Sequence, residues 1–591
     1  MKGLAAPPPR FATLVDALAA AAGCDSGITL VDLHERETTV PFAEIAARAE
    51  RAAAGLRAAG VAPGDRVALV LPTSTGFLDA LFGTLLAGAV PVPLYPPLRL
   101  GRLAEYHAAT ARMLAAAGVA LVVVDERTGR LLGQAIERAR PRLGWRRAGD
   151  LAANRLGGTV RAEVGPDDLA LIQYSSGATT DPKPVALTHR QVLAQLAAIR
   201  ALLPPERGDR QLGVSWLPLY HDMGLIGCLL LAVYYPGPLV LIPPEHFLAR
   251  PALWPRAIAR HRATLSIAPP FGYALAARRV RDEEIAGIDL SSWRMAGCGA
   301  EPISIRALDA FARRFAAAGF DAAALRPCYG LAEAALAVTF APADRPVRTV
   351  AIDPARLAAV GEAVPGGRAI VSVGTPVPGF EVEVRDDGGR PLPERRVGRV
   401  HTRGPSVMAG YFGRPEASAR ALDAGWLDTG DLGFVADGEL YVCGREKDVI
   451  VIRGANRAPQ EFEESADAVE GVRAGCVVAL GFEPEGADGE ELLVLAERAR
   501  DGERDGGDER LAAAIRRAVT DATGVAPHTV RVLEPGTLPR TSSGKLRRSE
   551  ALRRYLAAEL APPDAAGPAR LTAEVARSAL ALARTRLRRG R

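Results

Sequence analysis

Several things are scarce in this chain, and each scarcity removes a class of protein. Six cysteines in 591 residues (Cys24, Cys228, Cys298, Cys328, Cys443 and Cys476) are scattered with no Cys-x-x-Cys pair and no neighbouring histidine. That argues against a disulfide framework and against a zinc site, and suits a reducing cytoplasm. The first residues, MKGLAAPPPRF, lack the apolar run of a signal peptide. One long charge-free stretch, 223–244, is divided by Pro236-Gly237-Pro238 into pieces shorter than the roughly 20 residues that cross a bilayer. It reads as a buried helix followed by a buried strand, with no transmembrane segment. No basic patch interleaved with aromatics is present, so nucleic acid is not an expected partner.

What is present is ordinary for a globular protein: 48% hydrophobic and 24% charged residues. The net charge of +5 is uneven. From Pro562 onward seven arginines face only Asp564 and Glu574, so the tail carries the basic character. Leu571, Val575, Leu582 and Leu587 fall near helical spacing there. The tail is therefore either a solvated C-terminal helix or a basic amphipathic helix that meets an acidic partner.

The length implies about three to five globular units. Up to about Pro327, short runs of Val, Ile and Leu such as RVALVLP and LALIQYS alternate with amphipathic stretches. This is the pattern of strands buried on both faces and covered by helices. Between Gly374 and Tyr441 the texture becomes short alternating strands with glycine turns, as in a small antiparallel barrel or sheet. After Asp448 the strand runs CVVALGF and ELLVLAE, a helix over about 509–523 and a final VRVLE form a compact α+β unit. The fold class expected is α/β: a large N-terminal domain of two helix-flanked mixed sheets plus a small β-barrel, then a small mobile α+β domain. The boundaries expected are 1–446 for the large domain, 447–558 for the small one, and 559–591 for a Pro-rich linker and basic tail.

Five segments carry candidate chemistry. In YSSGATTDPKP, placed between a strand and a helix beginning near Thr188, small residues would let backbone N–H groups approach phosphate, with Ser175, Ser176 and Thr179 as hydroxyl donors and Lys183 as a cation. The spacing is not that of a Walker A loop. In CYGLAEAA, Tyr329 could stack on a purine and Glu333 could hold Mg2+. In GWLDTGDLG, read as a turn between strands, Asp431 could accept from ribose hydroxyls, while GREKD offers Arg445 and Lys447 at a domain junction. In LPRTSSGK, Lys545 sits in a polar loop read as mobile and exposed, where it could neutralise two approaching anions. Taken singly, the first reads better as an ordinary turn, the second as a core tyrosine with a helix-start carboxylate and the last as a surface lysine, while the charges at the domain junction lean toward function.

Together, and in the order YSSGATTDPKP, WLPLYHDMGLIG, GCGAEP, CYGLAEAALAV, GWLDTGDLG, GREKDVIVIRGAN and LPRTSSGK, they resemble the adenylate-forming superfamily over roughly 11–556. Within it, VPLYPPLRLGRLAEY, WLPLYHDMGLIG and IRGANRAPQEFE are similar to the fatty acyl-AMP ligases. A segment at about 341–373 stands where that branch carries an insertion that limits small-domain movement and disfavours free coenzyme A. The resemblance implies ATP and Mg2+ as cofactors and a fatty acid as substrate, and as acceptor an acyl carrier protein or a carrier domain of a polyketide or nonribosomal peptide synthase. It implies Lys545 as the adenylation lysine, Glu333 and Thr179 at the metal, and Ser175, Ser176, Gly177, Thr179 and Lys183 at the phosphates. Tyr329, Gly330, Gly299, Ala300 and Glu301 would lie at the adenine, Asp431 and Arg445 at the ribose, and Lys447 at the hinge. His221, with Met223, Gly224, Phe271 and Tyr273, would lie at the acyl pocket.

The chain departs from the pattern at Thr180 and Pro184, where glycine is usual, at Ala178, at Pro269-Pro270-Phe271, and at Arg457-Ala458. The altered phosphate loop raises the alternative of a weakened nucleotide- or acyl-binding scaffold. Retention of Lys183, Glu333, Asp431, Arg445 and Lys545 favours an enzyme. An acyl-CoA synthetase is the alternative within enzymes.

Overall fold

The structure is a computed structural model that describes residues 1–97, 100–153, 161–175, 182–205, 211–343, 345–484, 489–499, 507–541, 544–563 and 568–587. Its largest sheet has nine strands. Six pair in parallel in the spatial order Leu325–Gly330, Met295–Cys298, Leu265–Ala268, Gly213–Ser215, Leu239–Leu241 and Gly27–Val31. Antiparallel strands close both edges, Glu37–Pro41 on one side and Ala337–Phe340 with Thr375–Pro376 on the other. This sheet is mixed, as expected. The second, Val90–Pro93, Arg66–Val70, Val119–Val124 and Gly144–Arg147, is instead wholly parallel. Val119–Val124 is buried at every position, which its unbroken apolar sequence requires of a strand covered on both faces.

The expected barrel-like part takes the form of a five-stranded antiparallel sheet. GWLDTGDLG is not a turn between strands: it lies within one long strand, Trp426–Ala436, kinked where Gly430 takes a positive φ of 69°. The loop at 174–184 likewise leads into a strand, Pro184–Thr188, antiparallel to Leu169–Tyr174, before the helix begins at His189 behind a Thr188–Gln191 capping box. CYGLAEAA does not open an α-helix either. It ends Leu325–Gly330 and turns through a single 3-10 turn, Ala332–Ala334, into Ala337–Phe340.

In the smaller C-terminal domain, Val472–Phe482, Glu491–Arg498 and Thr529–Leu533 form a three-stranded sheet. Val477 and Ala479 face one apolar cluster with Phe462, Ile515 and Val519, while Val478 and Leu480 face another with Leu538 and Ala551. That two-sided burial accounts for the unbroken run CVVALGF. The segment anticipated as an insertion folds as a hairpin, Thr349–Ile352 with Arg368–Val371, around helix Pro354–Val360.

The charge-free stretch after Asp222 becomes a six-residue π-helix, Leu225–Leu230, a turn of α-helix, Leu231–Tyr234, and the buried strand Leu239–Leu241. Among the described residues no helix is long and apolar enough to cross a membrane. All six cysteines are free thiols.

The tail is not a solvated helix. Helix Pro568–Leu587 folds back onto the N-terminal part of the chain. Ser578 is fully buried and accepts the Gly133 N–H at 2.8 Å, and Leu582 joins the core around the parallel sheet. Gly133 admits this approach because it lacks a side chain; a Cβ there would lie 2.1 Å from the Ser578 carbonyl oxygen.

Candidate active site

One cavity of about 1940 Å³ runs between the C-terminal ends of the large sheet and the small domain. That exceeds the roughly 300–1,000 Å³ of an ordinary ligand pocket, so it has room for a nucleotide and an elongated second ligand together. Five of the six parallel strands, all but Gly27–Val31, end at this cavity, the usual crevice for ligands in open α/β sheets.

The best-ordered corner follows from strand register. Asp431 and Arg445 are direct partners across two antiparallel strands, and Arg445 Nε donates to Asp431 Oδ1 at 2.9 Å. Tyr329, arriving from the large sheet, donates its hydroxyl to Asp431 Oδ2 at 2.7 Å. Burial pushes the Tyr329 phenol up, and the Asp431 charge adds to the effect. Asp431 pairing raises the Arg445 guanidinium further above its usual range. Gly330 is required next to Tyr329, since a Cβ there would overlap the Leu336 carbonyl oxygen at 1.8 Å. Gly299 also packs closely on Cys328, where a Cβ would lie 2.7 Å from its carbonyl oxygen and from its sulfur. Ala300 holds a left-handed φ of 72°, a strained conformation of the kind found at ligand sites.

A second corner holds Glu333 and Lys183. The Tyr411 hydroxyl donates to Glu333 Oε1 at 2.9 Å, and the Lys183 ammonium lies 4.6 Å from the Tyr411 ring centroid. Burial raises the Glu333 carboxyl, with Tyr411, Arg445 and Lys183 opposing, and burial lowers the Lys183 ammonium, with Glu333 opposing. Tyr411, in a short strand that pairs with Pro184–Thr188, was not anticipated. Pro184 opens its strand and keeps its carbonyl in use, accepting the Phe412 N–H at 2.8 Å. Ser175 pairs with Lys183 at the base of the same hairpin. Ser176, Gly177 and Thr179 lie outside the described residues.

Lys545 is enclosed rather than exposed. It lines the cavity from the small-domain side, and burial holds its ammonium below the ordinary lysine range, with Glu301 and Asp222 as the opposing negative charges. Glu301 is raised by burial. Asp222 is held low, since the attraction of His221 at 2.6 Å and of Lys545 outweighs its burial. Asp222 was passed over in the sequence, although it directly follows His221.

On the apolar side, Met223 and Phe271 line the cavity with Trp216, whose ring meets Phe271 edge-on at 5.6 Å. The π-helix contributes Gly227 and Cys228. Two anticipated pocket residues face elsewhere. Tyr273 is fully buried in an aromatic cluster with Trp254 and Phe311, and its hydroxyl is spent on the Gly297 carbonyl at 2.7 Å. Gly224 packs against the Pro218 carbonyl, 2.4 Å from where a Cβ would stand.

Lys447 lies in a 3-10 turn, Glu446–Asp448, between the two domains. A composition signal would have marked three site residues at once: of 73 basic residues only four are lysine, and Lys183, Lys447 and Lys545 all line this cavity. A compact ammonium with rotatable donors is not interchangeable with a guanidinium fork, so the few positions that hold lysine against an arginine background stand out.

The donor chemistry fits a magnesium nucleotide. Glu333 offers one hard oxygen ligand beside Lys183 and Arg445, and Mg2+ typically takes one or two carboxylates together with phosphate oxygens and water. Among the described residues no cluster of three or more His, Cys, Asp or Glu exists that would hold a metal by itself.

Comparison with known proteins gives one consistent picture. The family described as AMP-binding enzyme matches residues 19–412. A Caulobacter vibrioides protein provisionally named an acyl-CoA synthetase is 39% identical over 93% of this chain and 96% of its own length. A medium-chain-fatty-acid–[acyl-carrier-protein] ligase of Moorena producens is 31% identical over 93% of this chain and 96% of its own. A solved structure from studies of fatty acyl-adenylate ligases of E. coli and L. pneumophila aligns with a TM-score of 0.86 at 38% identity, covering 93% of this chain and 99% of that one.

Proposed function

Because the chain belongs to the AMP-binding enzyme family, whose adenylate-forming members use ATP, we propose that it activates a fatty acid as its acyl-adenylate and passes the acyl group to the phosphopantetheine thiol of a carrier protein. The observation that carries this reading is the continuity of the cavity: a polar nucleotide corner and an apolar arm meet where Lys545 and His221 face inward.

Tyr329 and the Asp431–Arg445 pair form the nucleoside end, with Ala300 and Glu301 on the adenine side. The buried Asp431 carboxylate retains lone pairs for ribose hydroxyls beyond those engaged by Tyr329 and Arg445. Lys183 and Ser175 would face the β- and γ-phosphates, with Ser176, Gly177 and Thr179 assigned there from the sequence, and Glu333, with Thr179, would hold Mg2+, which when bound supplies positive charge to the phosphates. The fatty chain lies along Trp216, Phe271 and the π-helix, with its carboxylate toward His221.

Lys545 stands between the two anions. One carboxylate oxygen attacks the α-phosphorus, the acyl–O–P bond forms as the bond to the β-phosphate oxygen breaks, and pyrophosphate leaves. Lys545 lowers the cost of gathering this negative charge in a partly dry site. Rotation of residues 447–558 about Lys447 then admits a thiol, which takes the acyl group at its carbonyl carbon and releases AMP.

Carrier protein rather than free coenzyme A is favoured by the hairpin at 341–373. Its Arg368 contacts Glu461 at 3.3 Å and Glu464 at 3.7 Å, both on a helix of the small domain, so it ties the insertion to the part that must turn. Fatty-acid-dependent exchange of labelled pyrophosphate into ATP tests the first half-reaction. Mass spectrometry of products formed with free coenzyme A or with a holo carrier protein tests the second. Nucleotide binding without exchange at any chain length would leave a scaffold, and ready acyl-CoA formation would move the assignment to an acyl-CoA synthetase.

A further inference from the structure

Lys545 is carried by a turn, and the side chain of Arg540, just before that turn, ties it to the body of the small domain. The turn closes on itself: the Thr541 N–H donates to the Lys545 carbonyl at 2.7 Å, the Lys545 N–H to Thr541 Oγ1 at 3.1 Å, and the Gly544 N–H to the Thr541 carbonyl at 3.1 Å. These bonds set its shape but not its place. Its two ends are joined by an antiparallel bridge between Arg540 and Leu546 and by the Arg547 N–H donating to the Pro539 carbonyl at 2.9 Å, and the Arg540 side chain adds the link from the turn to the sheet: its Nη1 donates to the Gly544 carbonyl at 2.6 Å while Nη2 donates to the Gly475 carbonyl at 2.6 Å and approaches Cys476 Sγ at 3.0 Å. Gly475 is held in turn, since its N–H donates to Asp467 Oδ1 at 2.5 Å. The guanidinium thus bridges the residue before Lys545 and the irregular start of the long strand Val472–Phe482, where the ladder slips register.

We propose that Arg540 is a positioning residue for the adenylation step, holding the Lys545 ammonium at the junction of nucleotide and acyl carboxylate through the Gly544 carbonyl. This rests on the reading of Lys545 given above. The guanidinium fork spreads its donors in one fixed plane, which suits two carbonyls on separate segments and a nearby sulfur better than the compact, rotatable donors of a lysine ammonium.

The test uses the full-length enzyme with dodecanoate, comparing Arg540→Ala, Arg540→Lys and Lys545→Ala by ATP–pyrophosphate exchange, AMP calorimetry and thermal unfolding. Misplacement by about 1 Å can cost on the order of 100-fold in rate, so Arg540→Ala is expected to lower kcat about 10- to 100-fold. Its KM for ATP and its AMP affinity should stay within about twofold, because the nucleotide corner is built by the large domain. Arg540→Lys should fall between, and millimolar guanidinium should restore part of the Arg540→Ala rate. Lys545→Ala should fall further and gain nothing from guanidinium. A wild-type kcat in Arg540→Ala overturns the proposal. So does a loss accompanied by a lowered unfolding midpoint and no guanidinium recovery, which would mark a merely structural residue. If Lys545→Ala itself exchanges at the wild-type rate, the reading of Lys545 fails and the positioning role falls with it.

Discussion

The two halves of the proposed reaction centre are held in different ways. On the large-domain side, Asp431 and Arg445 are register partners in one sheet, and Tyr329 ends a strand of another, so their geometry follows from ladder pairing. On the small-domain side, Lys545 sits on a turn whose place depends on Arg540 and on a few contacts between domains. These include Arg554 with Glu105 at 2.7 Å, Arg278 with Asp467 at 3.9 Å, and Arg102 Nη2 donating to the Thr537 carbonyl at 3.1 Å. Such contacts at partly exposed positions are individually weak, of the order of 1 kcal/mol or less. Under the proposed function, a nucleotide corner that stays assembled, paired with a lysine that can be withdrawn, is what a two-step reaction in one cavity needs.

The largest effect expected from breaking this contrast is on the movable half alone. Lys545→Ala should lower pyrophosphate exchange by about 100- to 1,000-fold, the scale of losing a preorganised charge, while AMP affinity by calorimetry is unchanged. Breaking the fixed half should do the reverse. Asp431→Ala removes the partner of both Arg445 and Tyr329, so KM for ATP should rise about tenfold or more and the unfolding midpoint should fall, since buried groups lose their acceptor.

A pH profile sharpens the comparison. Lys545 is useful as a cation, and burial lowers its pKa, so kcat/KM for the fatty acid should decline as pH rises through a value below the ordinary lysine range. Arg540→Lys would leave that alkaline limb in place, whereas Lys545→Ala should abolish it. A smaller change is expected from Arg368→Ala, which frees the insertion from Glu461 and Glu464; acyl-CoA formation should rise a few-fold with adenylation unaffected. The smallest effect on chemistry is expected at Gly133→Val, whose side chain collides with the Ser578 backbone. Exchange should persist while limited proteolysis removes the C-terminal helix faster than in the wild type.

Much of the fold was legible because its signals are local. Unbroken apolar runs such as Val119–Val124 announce strands covered on both faces, and Thr188 with Gln191 marks a helix start. Some readings that changed were local, such as GWLDTGDLG lying in a strand and CYGLAEAA closing in a single 3-10 turn, but those that matter for the site concern contacts between distant segments. TSSGK looks like a mobile surface loop until the cavity closes around Lys545, and Tyr273 looks like a pocket aromatic until its hydroxyl is found on Gly297. The tail looks solvated until Gly133 opens a place for Ser578.

By itself the sequence determined the chemistry available: which cations, carboxylates and hydroxyls exist, in what order, and on which strands and turns. That is so because residue type, period and turn preference act over a few neighbours. Only the tertiary structure decided which of those groups share one low-dielectric space, since Lys545 meets Asp222 and Glu301 only through the packing of one domain on another. Burial and apposed charge are properties of that packing, and they separate Lys545 from an ordinary lysine on the surface.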